Sequence, residues 1–502
     1  MTMSLMTKAQ LVQAAEALSF ETRAFINGRF VDAASGKRFT THNPANGKLL
    51  THIAECDGED INRAVAAARR AFEAGTWSRL DPRARKKTLL RLADLMEKHA
   101  EELALLETLD NGKPISDSRA VDVPDSIETL RWHAEASDKI FDQVSPTGPD
   151  IVSMVVREPI GVVGAVLPWN FPIFVAMWKL APALAGGNSV VLKPAELTSL
   201  TVLRIAALAA EAGIPEGVFN VVPGYGDTAG QALGRHMDVD CLSFTGSGEV
   251  GRLFLKYAAD SNLKRVVLEL GGKSPAIVMD DVADLQSVAE HVATGFLFCQ
   301  GENCSAGSRL LIHEKIKDRF LDMLLNTVKD WTVGDPLDPA TRIGAMIEEE
   351  HMNRVLSFID GAASDGATTL LQGGRVLAQT GGYFVSPAIF DDVRQTARLA
   401  REEVFGPVLA VMPFASAEEA VHLANDTCFG LASSLYTDNL HSAHSIARKI
   451  RAGTVSVNCF SEGDMAVSFG GYKQSGFGGR DKGFAAHDQY LEAKTIWIQT
   501  RA

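Results

Sequence analysis

Residues 160–172 read Ile160-Gly-Val-Val-Gly-Ala-Val-Leu167-Pro168-Trp169-Asn170-Phe171-Pro172, an apolar β-branched run that stops at a loop with a proline at each end. Such a run, with no polar alternation, suits a strand buried on both faces of a sheet. The pattern returns at residues 189–192, 218–222, 239–244 and 266–270, with helical runs between. The clearest of these helices starts at a Thr198/Ser199 cap, carries Leu203, Ala206, Ala207 and Ala210, and stops at Gly213 and Pro215. Another covers residues 249–259, with Val250, Leu253, Phe254 and Tyr257 on one face. Strands alternating with crossover helices imply a parallel sheet wound in the right-handed sense, with ligands at the carboxyl ends of its strands. The loops after Leu167, Leu192, Val222, Phe244 and Leu270 then share one rim.

A second α/β pattern follows Gly272, through residues 276–279, 310–313, 388–390, 408–413 and 454–458, and predicts a second domain facing the first. Ahead of both lie amphipathic helical stretches at residues 60–74 and 82–109. Two strand-like segments, residues 151–159 (IVSMVVREP) and 494–499 (KTIWIQ), belong to neither sheet pattern and are expected to pair with each other or across a subunit boundary. The size, 502 residues with 46% hydrophobic content, itself calls for two or more domains. A net charge of -13 argues against non-specific nucleic-acid binding, which needs surplus cations to neutralise phosphate. No apolar run approaches the roughly 20 residues that cross a bilayer, so no membrane partner is expected. Residues 1–20 lack the basic head and apolar stretch of a secretory signal, and the cytoplasm is the default expectation. Six cysteines without a CxxC pair agree with a reducing compartment, and one or two of them should be chemically special.

Cys304 lies in the small-residue loop Phe298-Cys-Gln-Gly-Glu-Asn-Cys304-Ser-Ala-Gly307, where a sulfur can be exposed. As a thiolate it would attack an aldehyde carbon; a buried, inert thiol is the alternative there, and the preferred reading of Cys299. Glu269 is the sole acid of the apolar strand Val266-Val-Leu-Glu269-Leu-Gly-Gly-Lys273. It is either an ion-pair partner of Lys273 or a general base whose affinity for a proton is raised by desolvation. Asn170, in its proline-bounded loop, is placed to donate to a developing oxyanion or to close an Asx-turn. Lys193 and Glu196 follow the next strand, where they would bind an adenosine ribose diol or form a helix-entry ion pair. Residues 244–251 carry Gly246-Ser-Gly-Glu-Val-Gly251 between strand and helix, a pattern fit for pyrophosphate at the helix N-terminus. Glu402 and Glu403 precede the turn Phe405-Gly-Pro407, and one of them could hold the nicotinamide-side ribose.

Taken together, PWNFP, KPAE, FTGS, LELGGKSP, GENCSAGSR and EEVFGP, in that order and over nearly the whole chain, resemble the aldehyde dehydrogenase superfamily. The likeness runs toward bacterial γ-glutamyl-γ-aminobutyraldehyde and guanidinobutyraldehyde dehydrogenases. It implies Cys304 as nucleophile, Glu269 as base and Asn170 as oxyanion donor. It further implies NAD held by Trp169, Lys193, Glu196, Gly246, Ser247, Val250, Glu403 and Phe405, with no metal. The implied fold class is α/β: a Rossmann-like NAD-binding domain (1–139 and 160–271), an α/β catalytic domain (272–471) and a small β oligomerisation element (140–159 and 485–502) of a homotetramer, with a dimer as the alternative. Glu269 argues for hydrolysis of the thioester over acyl transfer to coenzyme A, and Glu196 argues for NAD over NADP by like-charge repulsion.

For the substrate, Asp122 and Asp125 fall where the family lines its tunnel, and Glu462 and Asp464 fall in its second tunnel-lining loop. These carboxylates would attract a cationic ω-amino or guanidino tail, unless they are solvated loop acids. Phe171, Trp178 and Phe469, with Trp132, form apolar or cation–π walls or simply pack the core. The expected substrate is 4-aminobutyraldehyde, 4-guanidinobutyraldehyde or γ-glutamylaminobutyraldehyde. A broad-range or betaine-aldehyde dehydrogenase is the alternative, and a non-catalytic structural or binding member the remote one.

Overall fold

The computed structural model describes residues 6–501. Its first sheet has eight strands, in spatial order Arg29–Val31, Ala24–Ile26, Phe219–Val221, Ser189–Lys193, Val162–Val166, Cys241–Gly246, Arg265–Leu270 and Gly476–Phe477. The five central strands are parallel, while the N-terminal hairpin and the strand Gly476–Phe477 close the edges in antiparallel fashion. Numbered along the chain, the parallel strands run 3-2-1-4-5. The order reverses between Val162–Val166 and Cys241–Gly246, which is where a doubly wound sheet opens a ligand crevice. Every residue of Val162–Val166 and Ser189–Lys193 is buried, as the unbroken apolar runs predict.

The second sheet orders Thr368–Leu371, Ala388–Asp391, Val408–Phe414, Arg309–His313, Pro275–Val278, Ala432–Tyr436 and Thr454–Val457, parallel except at its first strand. The strand Ala432–Tyr436 escapes the sequence reading because Ser433 and Ser434 interrupt the apolar run, yet all five residues are buried. The two strand-like leftovers pair with each other: Ile151–Pro159 runs antiparallel to Leu491–Gln499 over nine residues, with Gln143–Ser145 on the outer side.

Three local expectations are corrected. Residues 82–109 are two helices, Pro82–Lys98 and Ala100–Asn111, because His99 leaves helical geometry and its Nδ1 bonds Glu102 at 2.8 Å. The helix Leu200–Ala212 is not capped by its own serine. Ser199 Oγ donates to Ala195 O, and the first N–H, that of Leu200, donates to Asp110 Oδ2 at 2.9 Å. In the helix Gly248–Ala259, Phe254 and Tyr257 are buried with Gly251, whereas Val250 and Leu253 are exposed. Gly251 lets the helix settle so close to the sheet that a Cβ there would press on Leu270.

Candidate active site

The helix Leu285–Leu297 ends in a short turn where Cys299, Gln300 and Gly301 all take left-handed backbone, with φ of 52°, 56° and 76°. Such backbone costs about 1–2 kcal/mol for each residue other than glycine, so the surroundings must hold it. Gly301 packs against Gly406, where a Cβ would collide with the backbone, and Gly272 packs equally tightly on the Cys304 carbonyl. This turn presents Cys304, half-buried, to a cavity of ≈ 840 Å³. The cysteine lies against Trp178, Leu431 and Phe469. Burial holds its thiol well above the ordinary range, and Glu462, Glu403 and Glu269 push in the same direction. A sulfur in such a place becomes nucleophilic only once it has given up its proton. Cys299 is fully buried, its Sγ 3.8 Å from Asn170 O.

Asn170 faces the same cavity from the crevice end of Val162–Val166. One of its two amide hydrogens is donated to Glu302 O at 2.9 Å, which fixes the amide and leaves the second free for a ligand. Glu269 faces the cavity from the strand Arg265–Leu270, is 3% exposed, and has no hydrogen-bond partner on either oxygen among the described residues. Burial raises its pKa well above the usual carboxyl range, Asp481 adds to this, and Lys179 and Arg480 oppose it. The ion pair with Lys273 is not made: among the described residues the Lys273 amine is buried without a partner, and burial lowers its pKa to about 7.

The cavity is also lined by Trp169, Gly246, Ser247, Glu403 and Phe405. Ser247 caps the helix that follows, accepting from the Val250 N–H at 3.3 Å. Glu403 accepts from the Gly272 N–H at 2.8 Å, and burial lifts its pKa to about 7. Phe405 sits in left-handed backbone, φ 61°, with its ring 5.3 Å from that of Trp169 and edge-on to it. His351, which the sequence reading missed, joins the two rings, and its Nε2 lies 2.7 Å from Phe405 O. Lys193 and Glu196 pair with each other at 2.9 Å, and neither they nor Val250 belong to the cavity lining.

The lining further holds Asp125, Glu462 and Asp464, together with Glu128, Phe171, Trp178, Phe469 and Trp132. Trp178 packs on Phe469 at 5.0 Å between ring centres, so these two are both wall and core. Asp122 is a correction: it is fully buried, pairs with Lys113 Nζ at 2.8 Å, and does not reach the cavity. The Lys113 ammonium in turn sits 4.1 Å from the centre of the Phe171 ring. A second missed residue is Lys482, which donates to the carbonyls of Glu462 and Gly463 at 3.1 and 3.0 Å beneath the acidic wall. Acids outnumber the cations Arg354 and Lys482 in the cavity lining. Burial raises the Glu462 pKa, and its carboxylate accepts a hydrogen bond from Ser305, next to Cys304.

The aldehyde dehydrogenase family model matches residues 30–496. An aminoacetaldehyde dehydrogenase of Pseudomonas aeruginosa is 54% identical, over 98% of this chain and 99% of its own. The NADP/NAD-dependent aldehyde dehydrogenase PuuC of Escherichia coli is 50% identical over 97% of each. The structure of a variant of the P. syringae indole-3-acetaldehyde dehydrogenase AldA, in complex with NAD+ and IAA, superposes with a TM-score of 0.97 at 53% identity, covering 98% of this chain and all of that one. A cysteine, a desolvated glutamate and an anchored asparagine around one cavity, in a chain matched nearly end to end, lead to one conclusion: this protein belongs to the aldehyde dehydrogenase family.

Proposed function

We propose that this enzyme uses NAD to oxidise an aldehyde with a cationic or polar ω-tail, such as 4-aminobutyraldehyde, 4-guanidinobutyraldehyde or γ-glutamylaminobutyraldehyde, to its carboxylic acid. The observation that carries the reading is the shared cavity. Cys304, Asn170 and Glu269 line one cavity together with Trp169, Gly246, Ser247, Glu403 and Phe405 and with the acids Asp125, Glu462 and Asp464. Cys304 attacks the carbonyl carbon, and the free Asn170 amide hydrogen with the Cys304 backbone N–H stabilises the oxyanion. The resulting thiohemiacetal loses hydride to leave a thioester. Glu269, deprotonated, removes a proton from the water that hydrolyses it.

Trp169, Gly246, Ser247, Glu403 and Phe405 fit a dinucleotide: the turn before the helix Gly248–Ala259 lies at the sheet's switch point, and the Glu403 carboxylate has an acceptor oxygen to spare. NAD, when bound, supplies the hydride acceptor. Lys193 and Glu196, at the end of the neighbouring strand, are assigned to the adenosine ribose, and Glu196 supports NAD over NADP. The regions 1–139 and 160–271 are assigned to dinucleotide binding and 272–471 to catalysis. Segments 140–159 and 485–502 are assigned to assembly of a homotetramer, supported by a three-stranded sheet that leaves Trp497 61% exposed. No helix among the described residues is long and apolar enough to cross a membrane.

The test compares Asp125→Ala and Glu462→Ala with wild type on 4-aminobutyraldehyde and on a neutral aldehyde of equal length. A hydrogen-bonded charge of this kind contributes about 1.5–3 kcal/mol, so KM for the cationic substrate rises roughly 10- to 100-fold while the neutral one shifts little. Equal losses on both substrates would remove the case for charge recognition.

A further inference from the structure

The left-handed turn before Cys304 needs a holder, and the sequence reading assigned none. Glu302, between the turn and the nucleophile, is fully exposed to neither solvent nor cavity: its relative exposure is 0% and it is absent from the cavity lining. Its Oε1 accepts the Ile347 N–H at 3.0 Å, and its Oε2 accepts Gln300 Nε2 at 3.2 Å. Its own N–H donates to Cys299 O at 2.8 Å, and its carbonyl accepts the Asn170 amide at 2.9 Å. His351 Nε2, on the dinucleotide side, lies 3.7 Å from Oε1. One buried side chain thus touches the strained turn, a separate segment of the second α/β unit and the wall near Phe405, while its backbone holds the oxyanion donor.

We propose that Glu302 is a positioning residue that fixes Cys304 and Asn170 relative to each other. The carboxyl group acts as a clamp between Gln300 and Ile347, so the costly left-handed backbone stays in place through the reaction. Burial pushes its pKa up to about 8, so near neutrality it is largely protonated and close in shape and charge to a glutamine amide. Gln300 Oε1 is buried without a partner among the described residues. With the Gln300 amide turned over, a glutamine at 302 keeps the Ile347 bond through its oxygen and donates an amide hydrogen to Gln300 Oε1.

The inference rests on Cys304 being the nucleophile. Full-length Glu302→Gln and Glu302→Leu are assayed with NAD and a saturating aldehyde, with folding checked by circular dichroism. The glutamine variant is expected within about threefold of wild-type kcat. The leucine variant is expected to lose on the order of 100-fold in kcat, the scale of a displaced oxyanion donor, with KM for aldehyde and NAD within about threefold. Should Glu302→Leu fail to fold, Gln300→Leu, which removes one arm of the clamp, is expected to lower kcat roughly tenfold with the same unchanged KM values. A folded Glu302→Leu enzyme with near wild-type kcat, equal damage from Gln and Leu, or a loss residing in KM would overturn the proposal. Cys304→Ala separates the two levels: full activity there sinks the nucleophile assignment, whereas a dead Cys304→Ala beside an unaffected Glu302→Leu sinks only the positioning role.

Discussion

Replacing Glu269 by glutamine keeps the size of the side chain and removes its ability to take a proton. The neighbouring acids are engaged elsewhere, Glu462 by the Ser305 hydroxyl. Asp481, the acid that most raises its pKa, faces Lys179 at 3.5 Å, and Glu403 accepts from the Gly272 N–H at 2.8 Å. The loss should therefore be the full contribution of a positioned general base, about 10²- to 10⁴-fold, or roughly 3–5 kcal/mol at 1.36 kcal/mol per decade. It falls on thioester hydrolysis and spares the steps before it. In stopped flow, Glu269→Gln should release about one NADH per active site in a burst and then turn over on the order of 1000-fold more slowly than wild type.

The pH dependence has two opposite signs. Glu269 works deprotonated and its pKa is raised by burial, so wild-type turnover rises with pH through that raised value, and the variant loses this limb. Stability runs the other way. The folded state keeps a proton that the unfolded chain has released, so stability declines as pH rises from the ordinary carboxyl value to the raised one. Glu269→Gln, always neutral, should melt higher than wild type in mildly alkaline buffer and show no such gain in acid. Absence of a burst, with turnover equally reduced, would instead make Glu269 the base that activates the thiol. Steady turnover within tenfold of wild type would remove it from the mechanism.

Two further outcomes follow from charges that the sequence reading placed at the ligand. Asp122→Asn leaves the Lys113 ammonium buried without its partner and should destabilise the fold by about 3–5 kcal/mol, whereas Lys113→Met combined with Asp122→Leu should recover most of this. Denaturant melts decide, and an asparagine variant as stable as wild type would refute the pairing argument. Glu196→Gln removes a half-exposed negative charge, worth about 1 kcal/mol against a second negative charge at the surface, so the kcat/KM preference for NAD over NADP should fall about fivefold. An unchanged ratio would take Glu196 out of cofactor selection.

The parallel strands were legible because a strand buried on both faces leaves an unbroken β-branched run, as in Val162–Val166 and Arg265–Leu270. Ala432–Tyr436 was not, since its serines find partners that sequence does not reveal: Ser433 donates to Pro275 O, and Ser434 pairs with Ser456. Cys304, Glu269 and Asn170 could be singled out because each is a reactive or polar group where local pattern alone predicts burial or a rigid loop. Asp122 misled because the resemblance places the whole stretch 122–125 at the tunnel without distinguishing its two acids. Asp122 ends a wide π-helical turn, Ser118–Asp122, fully buried and paired with Lys113, while Asp125, in the first turn of the helix Val123–Ala136, lines the cavity.

The same displacement bears on specificity. Asp122 spends its charge on Lys113, whose ammonium stands behind the Phe171 ring at the cavity wall. Without that carboxylate a cationic tail would meet an uncompensated positive charge there. With it, the acids Asp125, Glu128, Glu462 and Asp464 of the lining are opposed chiefly by Lys482, on which Glu462, Asp125 and Asp464 act. Lys482 itself is tied to the Glu462 and Gly463 carbonyls, so it holds the acidic loop in place while cancelling only part of its charge. A residue that never touches the substrate thereby belongs to the electrostatic account of which aldehyde enters, and the two lysines explain why counting acids along the chain overstates the charge a ligand would feel.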